Sequence, residues 1–292
     1  MRTTVSAQPG RASLANYLSM ASLAGLALLG YETLRFPASL GSGGLTRAVM
    51  TGAALLACLV TSRYGARLSS AAGRHALRNG AGAGVMLGAA ALLGHTLEVF
   101  ATLRPPIPAV LGVGMWGLMF LVLGANSAET YRREESMALA ILSSVWGALI
   151  SAVTTVVFAF LVGLLFMARM QQVLAGAFAL SGLTDGRALV IRNMLEGASS
   201  HLLIAPVVAL VAGSASVTLS VLLKSVGRRG AAALAACALA VLVAGVISLR
   251  VASSLERSAR PPFVMLGLLG LLVALTSASP LFAAIRGPKK TS

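Results

Sequence analysis

The chain has 292 residues, of which 57% are hydrophobic and only 11% charged, and its 23 basic and 8 acidic side chains give a formal net charge of +15. A soluble domain carries about 25% charged residues, so this composition excludes an ordinary soluble protein and favours a chain that lies in lipid. The basic residues form short clusters between apolar stretches, which is typical of loops that face anionic headgroups. The expected partner is therefore the lipid bilayer and not nucleic acid.

Eight apolar stretches with almost no charged residues predict membrane-spanning helices, each of which needs about 20 residues to cross the hydrocarbon. In chain order they are residues 12–31, 48–62, 79–103, 105–128, 136–168, 197–223, 230–249 and 261–285. Arg2 and Arg11 precede the first stretch as in a signal peptide, but no convincing cleavage pattern follows, so we expect a retained span. The sequence predicts an all-α, polytopic transmembrane helix bundle that forms a single integral membrane domain over residues 1–292.

The third stretch contains His95 and Glu98, whose spacing of three places both on one helix face. Glu98 is the only carboxylate inside the predicted spans. If the helix spans residues 84–103, both side chains lie inside the hydrocarbon, where an acid that faces lipid is costly. We expect Glu98 to face the bundle interior, protonated, paired or hydrated, with His95 as its partner in a proton relay. The alternative is a helix shifted outward, with Glu98 at a wet mouth near Arg104.

The fourth stretch contains GVGMWG, which matches the dinucleotide-binding pattern GxGxxG but lies in a lipid-length apolar stretch without a preceding strand. We interpret Gly112, Gly114 and Gly117 as a small-residue face on which another helix packs closely. The glycines of GAGAG, residues 80–84, indicate the same kind of contact.

The fifth stretch would form a helix of about 50 Å, so we expect it to tilt steeply, to break near Gly147 or Gly163, or to project from the membrane. Residues 171–200 follow, with Asp185 as a candidate N-cap and with apolar and charged residues mixed after it. This pattern predicts an amphipathic helix at the membrane interface. Residues 171–184 could instead form a re-entrant hairpin.

The sixth stretch contains Pro206, which removes a helix hydrogen bond, followed by Ser214 and Thr218. These residues are candidates for a kink and for the lining of a pathway, although the hydroxyls could equally bond carbonyls of their own helix or a neighbouring helix. His201 begins this stretch and could join His95 and Glu98 as a third zinc ligand. A histidine at a helix end is the simpler interpretation, and we predict no metal site.

Two parts of the chain, residues 63–125 and 224–285, share the order basic loop, apolar stretch, Arg-Pro-Pro, apolar stretch. This order would divide the chain into halves, 1–135 and 136–292, related by a parallel four-plus-four repeat as in some transporters. Alternatively, Arg-Pro-Pro simply ends one helix and begins another. With the N-terminus inside, 14 basic residues lie on the inner side and 9 on the outer side, which favours two cytoplasmic termini in the cell inner (plasma) membrane.

The sequence lacks the Walker A, HExxH and GxSxG motifs, so we predict that the protein is not an enzyme and has no cofactor. The favoured function is a transporter, permease or channel component with a buried Glu/His polar element. The alternative is a non-catalytic structural or assembly subunit of a larger membrane complex, whose partners are other membrane subunits or further copies of itself.

Overall fold

The computed structural model describes residues 13–41, 43–67, 70–101 and 107–255. These residues are helical almost throughout and contain no strand, so the all-α prediction is confirmed for them. The helices are α1 (Ser13–Arg35), α2 (Gly44–Arg67), α3 (Ala71–Phe100), α4 (Ile107–Glu134), α5 (Met137–Leu165), α6 (Met167–Val173), α7 (Ala175–Ser181) and α8 (Gly186–Leu255), with a short 3-10 helix, Pro37–Leu40, after α1.

Four segments of the described chain are long and apolar enough to cross a membrane: Gly44–Arg63, Ala71–Phe100, Met137–Leu165 and Gly186–Leu222. Large apolar side chains such as Leu93 and Leu210 point away from the protein on these segments, as lipid-facing residues do. The part of the chain that the structure describes is therefore all-helical, with the apolar helices of a membrane protein. The eight-span count and the four-plus-four repeat stay predictions, because residues 261–285 and both Arg-Pro-Pro sequences lie outside the described residues.

The chain divides into two compact units, residues 1–213 and 214–292. The first unit contains α1 to α7 and the beginning of α8, and it holds the hydrophobic core. In the second unit, residues 214–255 belong to α8, where the Ser220 hydroxyl donates to the Ser216 carbonyl over 2.8 Å. The basic segment 224–229, expected as a loop between two spans, is helical. It contains one glycine, Gly227, and a single glycine costs a helix only about 1 kcal/mol relative to alanine. The predicted halves, 1–135 and 136–292, stay a prediction.

Helices α3 and α5 pack backbone against backbone. A Cβ atom built on Gly84 would lie 2.5 Å from the carbonyl oxygen of Gly147, and one built on Gly80 would meet the carbonyl oxygen of Ser143. A Cβ atom on Gly147 would in turn lie 2.8 Å from the carbonyl oxygen of Gly80. Gly80 and Gly84 therefore provide the small-residue contact through which membrane helices approach closely.

Helix α5 continues through both glycines at which the sequence allowed a break. Its 29 residues correspond to about 44 Å at 1.5 Å per residue. Gly147 faces Gly80 of α3, and Gly163 faces the thioether of Met194 on α8. Both glycines thus serve contacts between helices and do not interrupt α5, which ends at Leu165; the last residues of the predicted stretch belong to α6.

The polar side chains of α5 bond within the bundle. The Ser144 hydroxyl donates to the Leu123 carbonyl of α4 over 2.6 Å, and the Asn126 amide donates to the Ser143 hydroxyl over 2.7 Å. Thr155 donates to the carbonyl four residues earlier in its own helix. These hydroxyls therefore satisfy helix carbonyls and tie α4 to α5, which favours the structural interpretation of the polar residues in this stretch.

Residues 171–200, expected as one interfacial or re-entrant segment, are shared among α6, α7 and α8. Helix α7 ends at Ser181 and is capped by Gly182, whose φ of +68° is the left-handed conformation that favours glycine. The Asp185 carboxylate accepts the backbone N–H of Arg187 over 2.9 Å and caps α8, as predicted. Val190 and Ile191 are then fully buried in the protein core. The apolar face of residues 186–200 therefore packs against protein, and these residues are continuous with the sixth predicted span.

Candidate functional site

A cavity of about 230 Å³ lies among α3, α4, α5, α6 and α8 in the first unit. Its polar lining comprises His95 and Glu98 of α3, Trp116 of α4, Thr155 of α5, and Asn193 and His201 of α8. Methionine, leucine, valine, alanine and glycine residues of the same helices form the apolar remainder. An apolar cavity of about 150 Å³ can hold benzene, so this one has room for a small solute or for several water molecules.

His95 and Glu98 lie in the last two turns of α3. The helix begins after Ser70, whose hydroxyl accepts the backbone N–H of Gly73 over 3.0 Å, and it ends at Phe100, before the predicted end at residue 103. A span of about 20 residues that ends at Phe100 is centred near residue 90. At 1.5 Å per residue, His95 then lies about 7 Å and Glu98 about 11 Å from the membrane centre. With the span placed at this end of the helix, both positions fall inside the hydrocarbon, and Glu98 lies nearer the membrane surface than the longer predicted span implied.

The two side chains face each other, as their spacing predicted. Nδ1 of His95 lies 3.9 Å from Oε2 of Glu98, and the side chains are 28% and 40% exposed, respectively. Nε2 of His95 is buried and has no hydrogen-bond partner among the described residues. The 3.9 Å separation exceeds a hydrogen-bond distance, so the two side chains do not bond each other directly. They are still close enough for electrostatic attraction, and a bound solute or water molecule can lie between them.

His201 lies in the interior of α8 and lines the same cavity as His95 and Glu98. Its ring centre is 5.0 Å from that of Trp116, with the ring planes inclined by 40°. The interpretation of His201 as a helix-end residue is wrong, because α8 begins at Gly186 and not near residue 197. In the part of the chain that the structure describes, no three His, Cys, Asp or Glu side chains gather as metal ligands.

Helix α6 covers the cavity at the C-terminal end of α3. The Arg169 guanidinium donates through Nε to the carbonyl of Val99 over 3.0 Å, at a helix end where carbonyls lack partners in their own helix. The rings of Phe100 and Phe166 meet edge to face with their centres 4.8 Å apart. Met170, the next residue of α6, is buried and lines the cavity. Sequence analysis missed this contact, since no local pattern links residues so far apart in the chain.

An ion pair ties α2 to α8 beside the cavity. Nη1 of Arg47 lies 2.8 Å from Oε2 of Glu196, which directly precedes the cavity residue Gly197. The predicted topology assigns both charged residues to the same side of the membrane, and their contact agrees with it. Because the pair is partly exposed, it is worth at most about 1 kcal/mol, and its main effect is to hold the beginning of α8 against α2.

The predicted glycine face on α4 has no close neighbour in the described part of the chain. A Cβ atom built on Gly112, Gly114 or Gly117 would meet no heavy atom of another element within 4 Å. Gly112 lines the cavity, where the missing side chain leaves space. A helix partner for this face stays a prediction.

The pathway candidates of the sixth predicted span are in α8. Pro206 lies inside this helix, which continues through it. Ser214 and Thr218 belong to the second unit, so their role as pathway residues stays a prediction.

Glu32 is a buried carboxylate that sequence analysis missed. It is 0% exposed, and neither of its carboxylate oxygens has a hydrogen-bond partner among the described residues. The first stretch was ended at Tyr31 because the next residue is charged, whereas α1 continues to Arg35. Pro37 was the better signal for the helix end, because a proline disfavours helical backbone in the residue before it.

The site thus combines one carboxylate, two imidazoles and an indole around a small cavity. The carboxylate and the imidazoles lie on α3 and α8, in segments that are long and apolar enough to cross a membrane. Such a lining can hold water or a small solute. Glu98 and His95 can exchange a proton by way of a water molecule held between them. Comparison of the chain with family models, with curated proteins and with solved structures finds no match.

Proposed function

We propose that the protein is a transporter, permease or channel component whose path passes through the cavity beside Glu98 and His95. The observation that supports this function is the position of the pair, inside a membrane-length helix and in the lining of a cavity among five helices. Ionisable residues at such depth are costly, and they commonly mark ion paths, substrate paths or proton relays.

The two groups lie at different depths on the proposed path. Glu98 is the more exposed and lies nearer the end of α3, while His95 lies about one turn closer to the membrane centre and has a buried, unpartnered Nε2 among the described atoms. A proton or a solute that enters past Glu98 therefore reaches His95 next, across the 3.9 Å that separates the groups.

Two contacts between helices lie near the Glu98 end of the proposed path. Arg169 fixes α6 to the last turn of α3, and the Arg47–Glu196 pair fixes the beginning of α8 to α2. We propose the cell inner membrane as the location, with both termini cytoplasmic, which makes this end the outer one.

A flux measurement on the purified protein tests the proposal. Liposomes with and without the protein would contain a pH-sensitive dye and be given a potassium diffusion potential, and parallel samples would take up radiolabelled small amines, amino acids and carboxylates. We expect faster flux of protons or of one solute class in the protein-containing liposomes. Equal flux in both preparations, together with a membrane partner that co-purifies in fixed ratio, would contradict the proposal and favour the structural or assembly subunit.

A further inference from the structure

The cavity lining carries a charge balance opposite to that of the chain. The chain has 23 basic and 8 acidic side chains, yet the lining contains one carboxylate, Glu98, and neither lysine nor arginine. Arg169 of α6 lies outside the lining, and its guanidinium donates to the Val99 carbonyl and to the Gln172 side chain. A low-dielectric cavity with a single acid concentrates positive charge, so the lining selects for cations over anions.

The other polar groups of the lining suit a cation with N–H donors. The indole of Trp116 offers the aromatic face that attracts cations most strongly. A neutral imidazole accepts one hydrogen bond, and Nδ1 of His95 faces Oε2 of Glu98 across 3.9 Å. Glu98 and His95 can therefore accept N–H groups from one bound ammonium, which would lie between them and close to Trp116.

The remainder of the lining favours an organic cation over a metal ion. The described part of the chain brings together no three His, Cys, Asp or Glu side chains as metal ligands. Met115, Met170 and Val156 give the cavity an apolar wall that suits a carbon skeleton. The volume of about 230 Å³ exceeds the roughly 150 Å³ that suffices for benzene, so it admits a small ring with an aminomethyl group.

We infer that this cavity binds a small organic ammonium ion, with Glu98 as its counter-ion and Trp116 as its aromatic contact. The inference names the substrate class of the proposed path and in that respect rests on the proposed function. Binding itself needs no transport, so it can be measured on the protein in detergent, separately from flux.

Three ligands of equal ring size separate charge from shape: benzylammonium, neutral benzyl alcohol and benzoate. The chain has two tryptophans, and Trp146 is buried and lies outside the cavity lining. In a Trp146→Phe protein, fluorescence therefore reports on Trp116 alone. We expect saturable quenching or a spectral shift with benzylammonium, at least tenfold weaker binding of benzyl alcohol, and no saturable binding of benzoate. Calorimetric titration of the wild-type protein gives the same comparison without the tryptophan change.

Substitution of the counter-ion completes the test. Glu98→Gln should weaken benzylammonium binding at least tenfold while leaving benzyl alcohol binding unchanged. The matched control Glu129→Gln removes a half-exposed carboxylate that pairs with Arg133 on α4 and should leave both affinities unchanged. Benzoate binding as tight as that of benzylammonium, absence of benzylammonium binding, or an unchanged affinity in Glu98→Gln would each overturn the inference. Benzylammonium binding without flux of any solute would refute the proposed function alone.

Discussion

Replacement of Gly84 by alanine tests the backbone contact between α3 and α5. The added Cβ atom would lie 2.5 Å from the carbonyl oxygen of Gly147 and 2.9 Å from Cβ of Ile150. Real Cβ contacts stay beyond 3.0 Å, so the two helices must move apart by at least 0.5 Å, the difference between 3.0 and 2.5 Å. Overpacking of this kind costs about 1–3 kcal/mol. We expect Gly84→Ala to lower the free energy of unfolding by that amount.

Gly82→Ala is the matched control on the same helix, because a Cβ atom at Gly82 would meet nothing within 4 Å. Alanine favours a helix over glycine by up to about 1 kcal/mol, so this variant should be neutral or slightly stabilised. Unfolding in mixed micelles by titration with SDS, followed by circular dichroism, measures both variants against the wild type. Equal stability of Gly84→Ala and Gly82→Ala would refute the close packing of α3 on α5.

Three further changes test other parts of the structure. Glu32→Gln should retain or raise the thermal stability, because it removes an acid that is buried without a partner among the described residues. Glu32→Lys should instead unfold the protein or block its insertion. Equal stability of the two variants would show that Glu32 meets water. Arg169→Ala should loosen α6 and speed thiol labelling of a cysteine placed at Met170, as followed by mass spectrometry. Unchanged labelling would show that the Arg169 contact does not hold α6 against α3. The described part of the chain offers the Gly114 face no partner, so a helix that packs on this face would belong to another protein molecule. Gly114→Leu should then alter the oligomer profile in size-exclusion chromatography. An unchanged profile and melting temperature would indicate that the face meets lipid.

Much of the fold could be predicted because lipid leaves few choices. An apolar stretch of sufficient length must become a helix, since its backbone groups have no water to bond. The predicted limits were less accurate, because charge was used to end each stretch. Glu32 shows why: a charged residue ends an apolar stretch, but a helix continues until its hydrogen bonding is interrupted, here near Pro37. Likewise, Asp185 correctly marked a helix start, but nothing local showed that this helix is continuous with the sixth predicted span.

The candidate site was predictable in part. The spacing of His95 and Glu98 was sufficient to place them on one face of α3, because helix geometry relates neighbours along the sequence. That His201 and Trp116 line the same cavity depends on how α4 and α8 pack, and sequence spacing carries no information about that. The glycines illustrate the same limit: Gly80 and Gly84 pack against α5, whereas a Cβ atom on any glycine of residues 112–117 would meet no neighbour within 4 Å among the described residues.

The flux through reconstituted Glu98→Gln protein tests the central claim most directly. Glutamine keeps the size of the side chain and removes its charge and its exchangeable carboxyl proton. Glu129→Gln serves as the control, and circular dichroism would establish that both variants are folded. The account predicts that Glu98→Gln lowers the flux of the transported proton or ammonium at least tenfold, while Glu129→Gln transports like the wild type. Wild-type flux with an unchanged pH profile in Glu98→Gln would contradict the claim that the path passes this carboxylate.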